Sequence, residues 1–130
     1  MDFPGQLWTD ERDRQAVRDV VELFVAEPIV LTDRLTNSVY FSAPAEALFG
    51  DRAEAIVNRA AASLLGFGRT GPVPPALTAA LLGDGPPWKA LVRLQSGQDV
   101  ACEASALHRD QQLVCGLLRL FRPQSRERAR

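Results

Sequence analysis

The sequence predicts an α+β domain, with one five-stranded antiparallel sheet, short helices on one face and an amphipathic helix at the N-terminus. Three observations predict it. Residues 10–26 carry an apolar stripe at helical spacing. Residues 28–50 hold two short β-type runs ahead of a small helix ending in Gly. The last third reads as three apolar strands separated by tight turns.

The first element is "DERDRQAVRDVVELFVA". Thr9 is placed to cap it, and Asp10 and Glu11 suit the positive end of a helix. Val17, Val20, Val21, Phe24 and Val25 fall largely on one stripe, and the other side is charged. Pro28 stops the helix. "IVLT" and "SVYF" are β-branched or aromatic runs joined by "DRLTN", whose Asn37 suits a left-handed conformation. Ser42 caps the next helix, Pro44 fits its first turn and Gly50 ends it. A second short helix is expected over "DRAEAIVN", then short helical pieces and a loop around residues 66–75. "PALTAALLG" opens on Pro75 and closes on Gly83. "WKALVRLQ", "DVACEASALH" and "LVCGLLRLF" form the meander, turning at "SGQ" and "RDQQ". The organisation is therefore 1–26 as lead-in and helix, 27–122 as the sheet domain, and 123–130 as a charged tail.

At 130 residues the chain is one domain, long enough to close a single core. A net charge of -1 supplies no basic surplus, so nucleic acid is not an expected direct partner. The two Cys match no metal spacing and no disulfide framework, and they read as reduced core thiols of a cytoplasmic protein. The opening residues lack a basic start and an apolar run, so no signal peptide is expected. No apolar run has the length of a membrane span.

No catalytic constellation emerges. Ser63, Ser96 and Ser105 lack a Gly-x-Ser-x-Gly setting, and His108 is the single His. "GFGRTG" follows an Ala-rich helix rather than a strand, so it fails the context test for phosphate binding. The last strand is apolar on both parities, Leu113, Cys115 and Leu117 against Val114, Gly116 and Leu118. A sheet with one wet face alternates with polar residues. Something must cover the second face, and helix 10–26 is the expected cover, from its own chain or a partner's. Dimer-interface candidates are thus Val17, Val21, Phe24, Leu113 and Leu117.

The order of elements and several residues resemble the PAS family of sensory domains. Asp33, the "RLTN" turn, "SVYF", "SAPAEALF" and Gly50 stand where that family has its opening pattern. Trp88 opens a long strand, Gly97 lies in the hairpin and Asp110 in the next turn. Two departures stand out. Ser42 occupies a place where many members carry Asn, and "FRPQ" replaces the usual Asp-Ile-Thr ending.

The resemblance implies a sensory or regulatory signalling domain acting through dimerisation or an effector partner, with a small noncovalent ligand as its signal. The alternative is a ligand-free interaction module with a filled core. Neither is an enzyme. Family haem sensors hang the iron from a His on the helix before the meander, and "PALTAALLG" has none. Covalent flavin chemistry needs a Cys in the helical segment near 55–70, and none occurs there. Haem and covalent flavin are therefore not expected, and no metal is. Along 99–108 two readings compete. Hydrophobicity turns Val100, Cys102, Ala104 and Ala106 inward, whereas the family's parity turns Glu103, Ser105 and Leu107 toward a pocket shared with Thr32 and Leu118. The chain has no room for a kinase, cyclase or DNA-reading segment, so the effector is expected to be separate or part of a longer protein.

Overall fold

The computed structural model describes residues 8–50, 60–67, 71–94 and 97–122. The helix expected over 51–58 and the tail 123–130 lie outside the described residues.

Helix α1 spans Glu11–Leu23 and begins one residue later than the sequence suggested. Asp10, not Thr9, caps it, because its carboxylate accepts the Arg12 N–H at 2.8 Å. A charged acceptor at the helix N-terminus also meets the macrodipole favourably. Strands β1 (Ile29–Thr32) and β2 (Ser38–Phe41) follow. The Asp33 carboxylate organises their turn by accepting the N–H groups of Leu35 and Asn37 at 2.9 and 3.0 Å. That closure places the left-handed residue at Thr36 (φ 63) rather than at Asn37.

Helix α2 (Ala43–Phe49) is capped as expected. Ser42 Oγ accepts the Ala45 N–H at 3.3 Å, Pro44 lies in the first turn, and Gly50 ends the helix at φ 78. The same hydroxyl accepts the Ile29 N–H and donates to the Glu27 carbonyl, so it also ties the start of β1. Helices α3 (Ala61–Leu64) and α4 (Pro75–Leu82) complete the layer, and α4 closes on Gly83.

Strands β3 (Trp88–Arg93), β4 (Asp99–Arg109) and β5 (Gln112–Phe121) form the meander. Asp110 and Gln111, both at positive φ, make the two-residue turn that suits a twisted hairpin. The sheet order is β2-β1-β5-β4-β3, with antiparallel neighbours throughout, so the last strand lies at the centre.

Each face has its own core. On one, Val30, Phe41, Cys102, Ala104, Leu118 and Leu120 pack under α2, α3 and α4. On the other, Leu31, Val39, Cys115 and Leu117 pack with Val17, Val20 and Val21 of α1 and with Trp8. The cover required by a central strand apolar on both faces thus comes from the chain's own helix. Val17, fully buried, contributes about 1.5 kcal/mol or more by leaving water.

Candidate functional site

The helix-side face is tight over β5. A Cβ added at Gly116 would overlap Thr32 Oγ1 and lie 2.8 Å from the Leu81 carbonyl oxygen. Only a residue without a side chain lets α4 come this close to the sheet. Thr32 is fully buried, and its hydroxyl has no hydrogen-bond partner among the described residues. On β4, Ala104 and Cys102, opposite Leu118 and Leu120, are small and buried. Burial pushes the Cys102 thiol up to about 11, and the thiol donates a weak hydrogen bond to the Ala90 carbonyl, 3.6 Å away.

The outer face is organised by charge. Glu103 lies directly across from Lys89 on β3 and from Arg119 on β5. Its oxygens stand 3.9 Å from Lys89 Nζ and 3.7 Å from Arg119 Nη1. Arg119 Nη2 donates to Glu27 at 2.9 Å, and its guanidinium lies 4.5 Å from the Phe24 ring centroid and 4.8 Å from that of Phe121. At the opposite end of α1, Arg109 donates from Nε to Asp13 at 2.6 Å and from Nη2 to Asp10 at 3.1 Å. The Asp13 hydrogen bond, foremost, raises the Arg109 pKa. The Arg12 N–H, foremost, lowers that of Asp10. Trp8 adds a third tie, its indole N–H donating to the Val114 carbonyl at 2.8 Å. Helix α1 is therefore fixed at both ends by arginines and in the middle by valines.

These positions resolve the two readings of residues 99–108. Val100, Cys102 and Ala104 belong to the helix-side core, whereas Leu107 packs with the α1-side cluster and Glu103 pairs with outer-face cations. The five pocket candidates do not converge. Thr32 and Leu118 face the helices, while Glu103, Ser105 and Leu107 alternate onto the other face. The physical reason is that two cations await a carboxylate on the outer face, and a buried carboxylate needs such partners. Sequence reasoning passed over Lys89 and Arg119; the signal was an opposite-charge triplet that strand register brings into line. Of the dimer candidates, Val17 is fully buried within the chain, Val21 and Leu117 are partly buried beside it, and Phe24 stacks on Arg119. Leu113 is partly exposed at a cleft of about 360 Å³ beside Trp8 and Leu35.

Helix α1 covers only part of the outer face. Over β3 and the start of β4 the sheet is open, forming a groove of about 520 Å³ lined by Lys89, Leu91, Ala101, Glu103, Phe121 and Arg122. The buried Cys115 thiol is pushed up to about 12 by desolvation. His108 is exposed near the end of β4. No cluster of three or more His, Cys, Asp or Glu suited to a metal occurs among the described residues.

An antiparallel sheet in this order, with α2, α3 and α4 inserted between the second and third strands, defines a single-sheet α+β domain. The fold is that of PAS domains. The PAS domain of nitrogen regulation protein NR(II) from Vibrio parahaemolyticus is similar at a TM-score of 0.56 and 18% identity, over 81% of this chain and 95% of that one. The PAS domain of Bordetella pertussis BvgS is similar at 0.62 and 14% identity, over 88% and 91%. The Rhodobacter sphaeroides LOV protein is similar at 0.63 and 16% identity, over 92% of this chain and 74% of that one. No family model matches the sequence. No curated protein matches it.

Proposed function

We propose that the chain is a sensory or regulatory signalling domain of PAS type, cytoplasmic and non-enzymatic, that works as a homodimer or on a separate effector. The observation that carries this reading is the position of α1. It is bound to the sheet by arginines at its two ends, Arg109 of β4 and Arg119 of the central β5, beside an open half-face. A change in the sheet therefore acts on a discrete helix and an adjoining surface, which is what a two-state regulatory element needs.

The input is the second question. The overlap at Gly116, Thr32 and Leu81 favours a filled core under α4, and with it the ligand-free interaction module. A small noncovalent ligand would have to lie elsewhere in the helix layer, toward Phe67 and Leu94. The likeness to a LOV protein raises flavin as such a ligand. A thiol adduct is not part of the proposal, since Cys115 lies on the α1 side and Cys102 is a neutral thiol bonded to backbone.

Native mass spectrometry of the purified protein, with an absorption spectrum, tests both versions. Protein mass alone, with no visible band, is the expected result for the interaction module. Added mass, or flavin absorption near the blue, establishes the ligand version instead.

A further inference from the structure

The sheet ends on two edges of different kinds. Strand β2 is four residues long and largely buried, and Asn37 beside it bridges to Ala60. Strand β3 has six residues and pairs only with β4 among the described residues. It alternates along its length, with Lys89, Leu91 and Arg93 exposed. Its register fixes where the backbone points. The Leu94 N–H donates to the Gln98 carbonyl at 2.9 Å, so the hairpin closes on a hydrogen-bonded pair. Such pairs alternate along an antiparallel ladder. Val92, Ala90 and Trp88 therefore turn their N–H and C=O groups toward β4, and Arg93, Leu91 and Lys89 turn theirs away from the sheet. An edge with free backbone groups is a template for a further strand.

The side chains decide which strand. Lys89 and Arg93 flank Leu91 on one face, and their side chains are 74% and 72% exposed. A second copy pairing along the whole of β3, two-fold about Leu91, sets Lys89 opposite Arg93 of the other copy. Like charges directly opposite are destabilising, so the edge resists its own kind. A strand with carboxylates at those two places meets both cations instead. Its residues on the other face adjoin Trp88 and Val92, which are half-buried at the margin of the helix-side core, so apolar residues suit them.

We propose that β3 is a docking edge for an extended segment of a partner protein, acidic opposite Lys89 and Arg93 and apolar between them. The segment adds as a further strand beside β3. The inference rests on the reading of a separate effector and names the chemistry of its docking segment. It requires neither a second copy nor α1.

The test uses the blocked pentapeptide Glu-Val-Leu-Val-Glu, whose symmetric sequence fits the edge in either direction, titrated into the full chain and followed by NMR. A dissociation constant of about 50 to 500 µM is expected for so short a segment. At saturation, amide exchange at Lys89, Leu91 and Arg93 slows at least about tenfold, while Trp88, Ala90 and Val92, already in the β4 ladder, keep their rates. The same peptide N-methylated at every residue keeps its charge but loses its donors. Leu91→Pro removes an outward N–H without touching the β4 ladder. Each raises the dissociation constant at least about tenfold. Lys89→Glu raises it about fivefold, and Lys-Val-Leu-Val-Lys binds wild type at least about tenfold more weakly than the acidic peptide. No binding at about 1 mM overturns the docking edge and leaves the effector reading standing. Equal binding of the N-methylated peptide reduces the contact to charge attraction and overturns it as well. Self-association of wild type that Leu91→Pro abolishes gives the edge to a second copy and overturns the acidic partner in favour of the homodimer.

Discussion

The two faces of the sheet solve the burial of one central strand in opposite ways. Toward α4, β5 presents Gly116 and Leu118, and the helix descends until backbone nearly meets backbone. Toward α1 it presents Cys115, Leu117 and Arg119, and the helix is held through side chains and ion pairs. The first face depends on shape and tolerates no added volume. The second combines apolar packing with charges that water and salt can reach. The regulatory helix proposed above lies on the second kind of face.

Substitutions can break this contrast. Leu118→Ala, at a fully buried position under the helix layer, is expected to cost about 4 kcal/mol in urea unfolding. Gly116→Ala is expected to cost about 3 kcal/mol, since the new methyl meets both Thr32 and the Leu81 carbonyl. Adding Thr32→Ala to Gly116→Ala should recover about 1 kcal/mol by freeing one side of the overlap. On the other face, Val17→Ala is expected to cost about 2 kcal/mol. If the Val17 loss equalled that at Leu118, the two faces would be equally rigid and the contrast would fail.

Smaller effects sharpen it. Arg109→Ala should cost little global stability, given a solvent-screened network, and should open the first turn of α1 to amide exchange while leaving α4 protected. Exchange rising equally in both helices would contradict the separation. Thr32→Val should be neutral or gain up to about 1 kcal/mol, because the hydroxyl removed has no partner among the described residues. A clear loss of stability would show that the hydroxyl is satisfied in solution.

The thiols give the alkaline limit. Both have folded pKa values above the ordinary 9.0, about 11 for Cys102 and about 12 for Cys115, because burial disfavours the thiolate. A group raised on folding stabilises fully below its unfolded value, and that contribution falls as pH climbs from 9.0 toward the folded value. Unfolding free energy should thus be insensitive to these groups at pH 8 and decline above pH 9. Cys115→Ala and Cys102→Ala should flatten the decline alike between pH 9 and about 11, and Cys115→Ala should flatten it more only above about pH 11. A difference between the two variants already at about pH 10 would count against these values.

Much of the fold was legible because its signals are local. Ser42, Pro44, Gly50, Pro75 and Gly83 each act within one turn, and each opens, caps or ends the helix expected of it. The cover over β5 was legible too, since apolar residues on both parities cannot be left half wet. What escaped depended on long-range register or on competition between neighbours. Asp10 displaced Thr9 as cap, and Asp33 drew two N–H groups and moved the left-handed residue to Thr36. The face of Glu103 was decided by Lys89 and Arg119, far away in sequence and adjacent only once the strands are aligned. Hydrophobic patterning gave that face correctly, and family parity did not.

The central place of β5 also sets an order in time. In the sheet, the β1–β2 hairpin and the β3–β4 hairpin are joined through this last strand. The ties that hold α1 reach across 92 to 106 residues of sequence, through Arg119, Arg109 and Trp8. Contacts of such separation form late, because the intervening chain must first be drawn in. Pulse-labelled exchange during refolding should show α1 protected with β5 or after it; protection before β5 would refute the order. On a ribosome, α1 is made before β5 and must keep its valine stripe from other chains until Gln112–Phe121 has emerged. The charged residues along its opposite side, Glu11 through Glu22, keep the waiting segment soluble until the strand it needs exists.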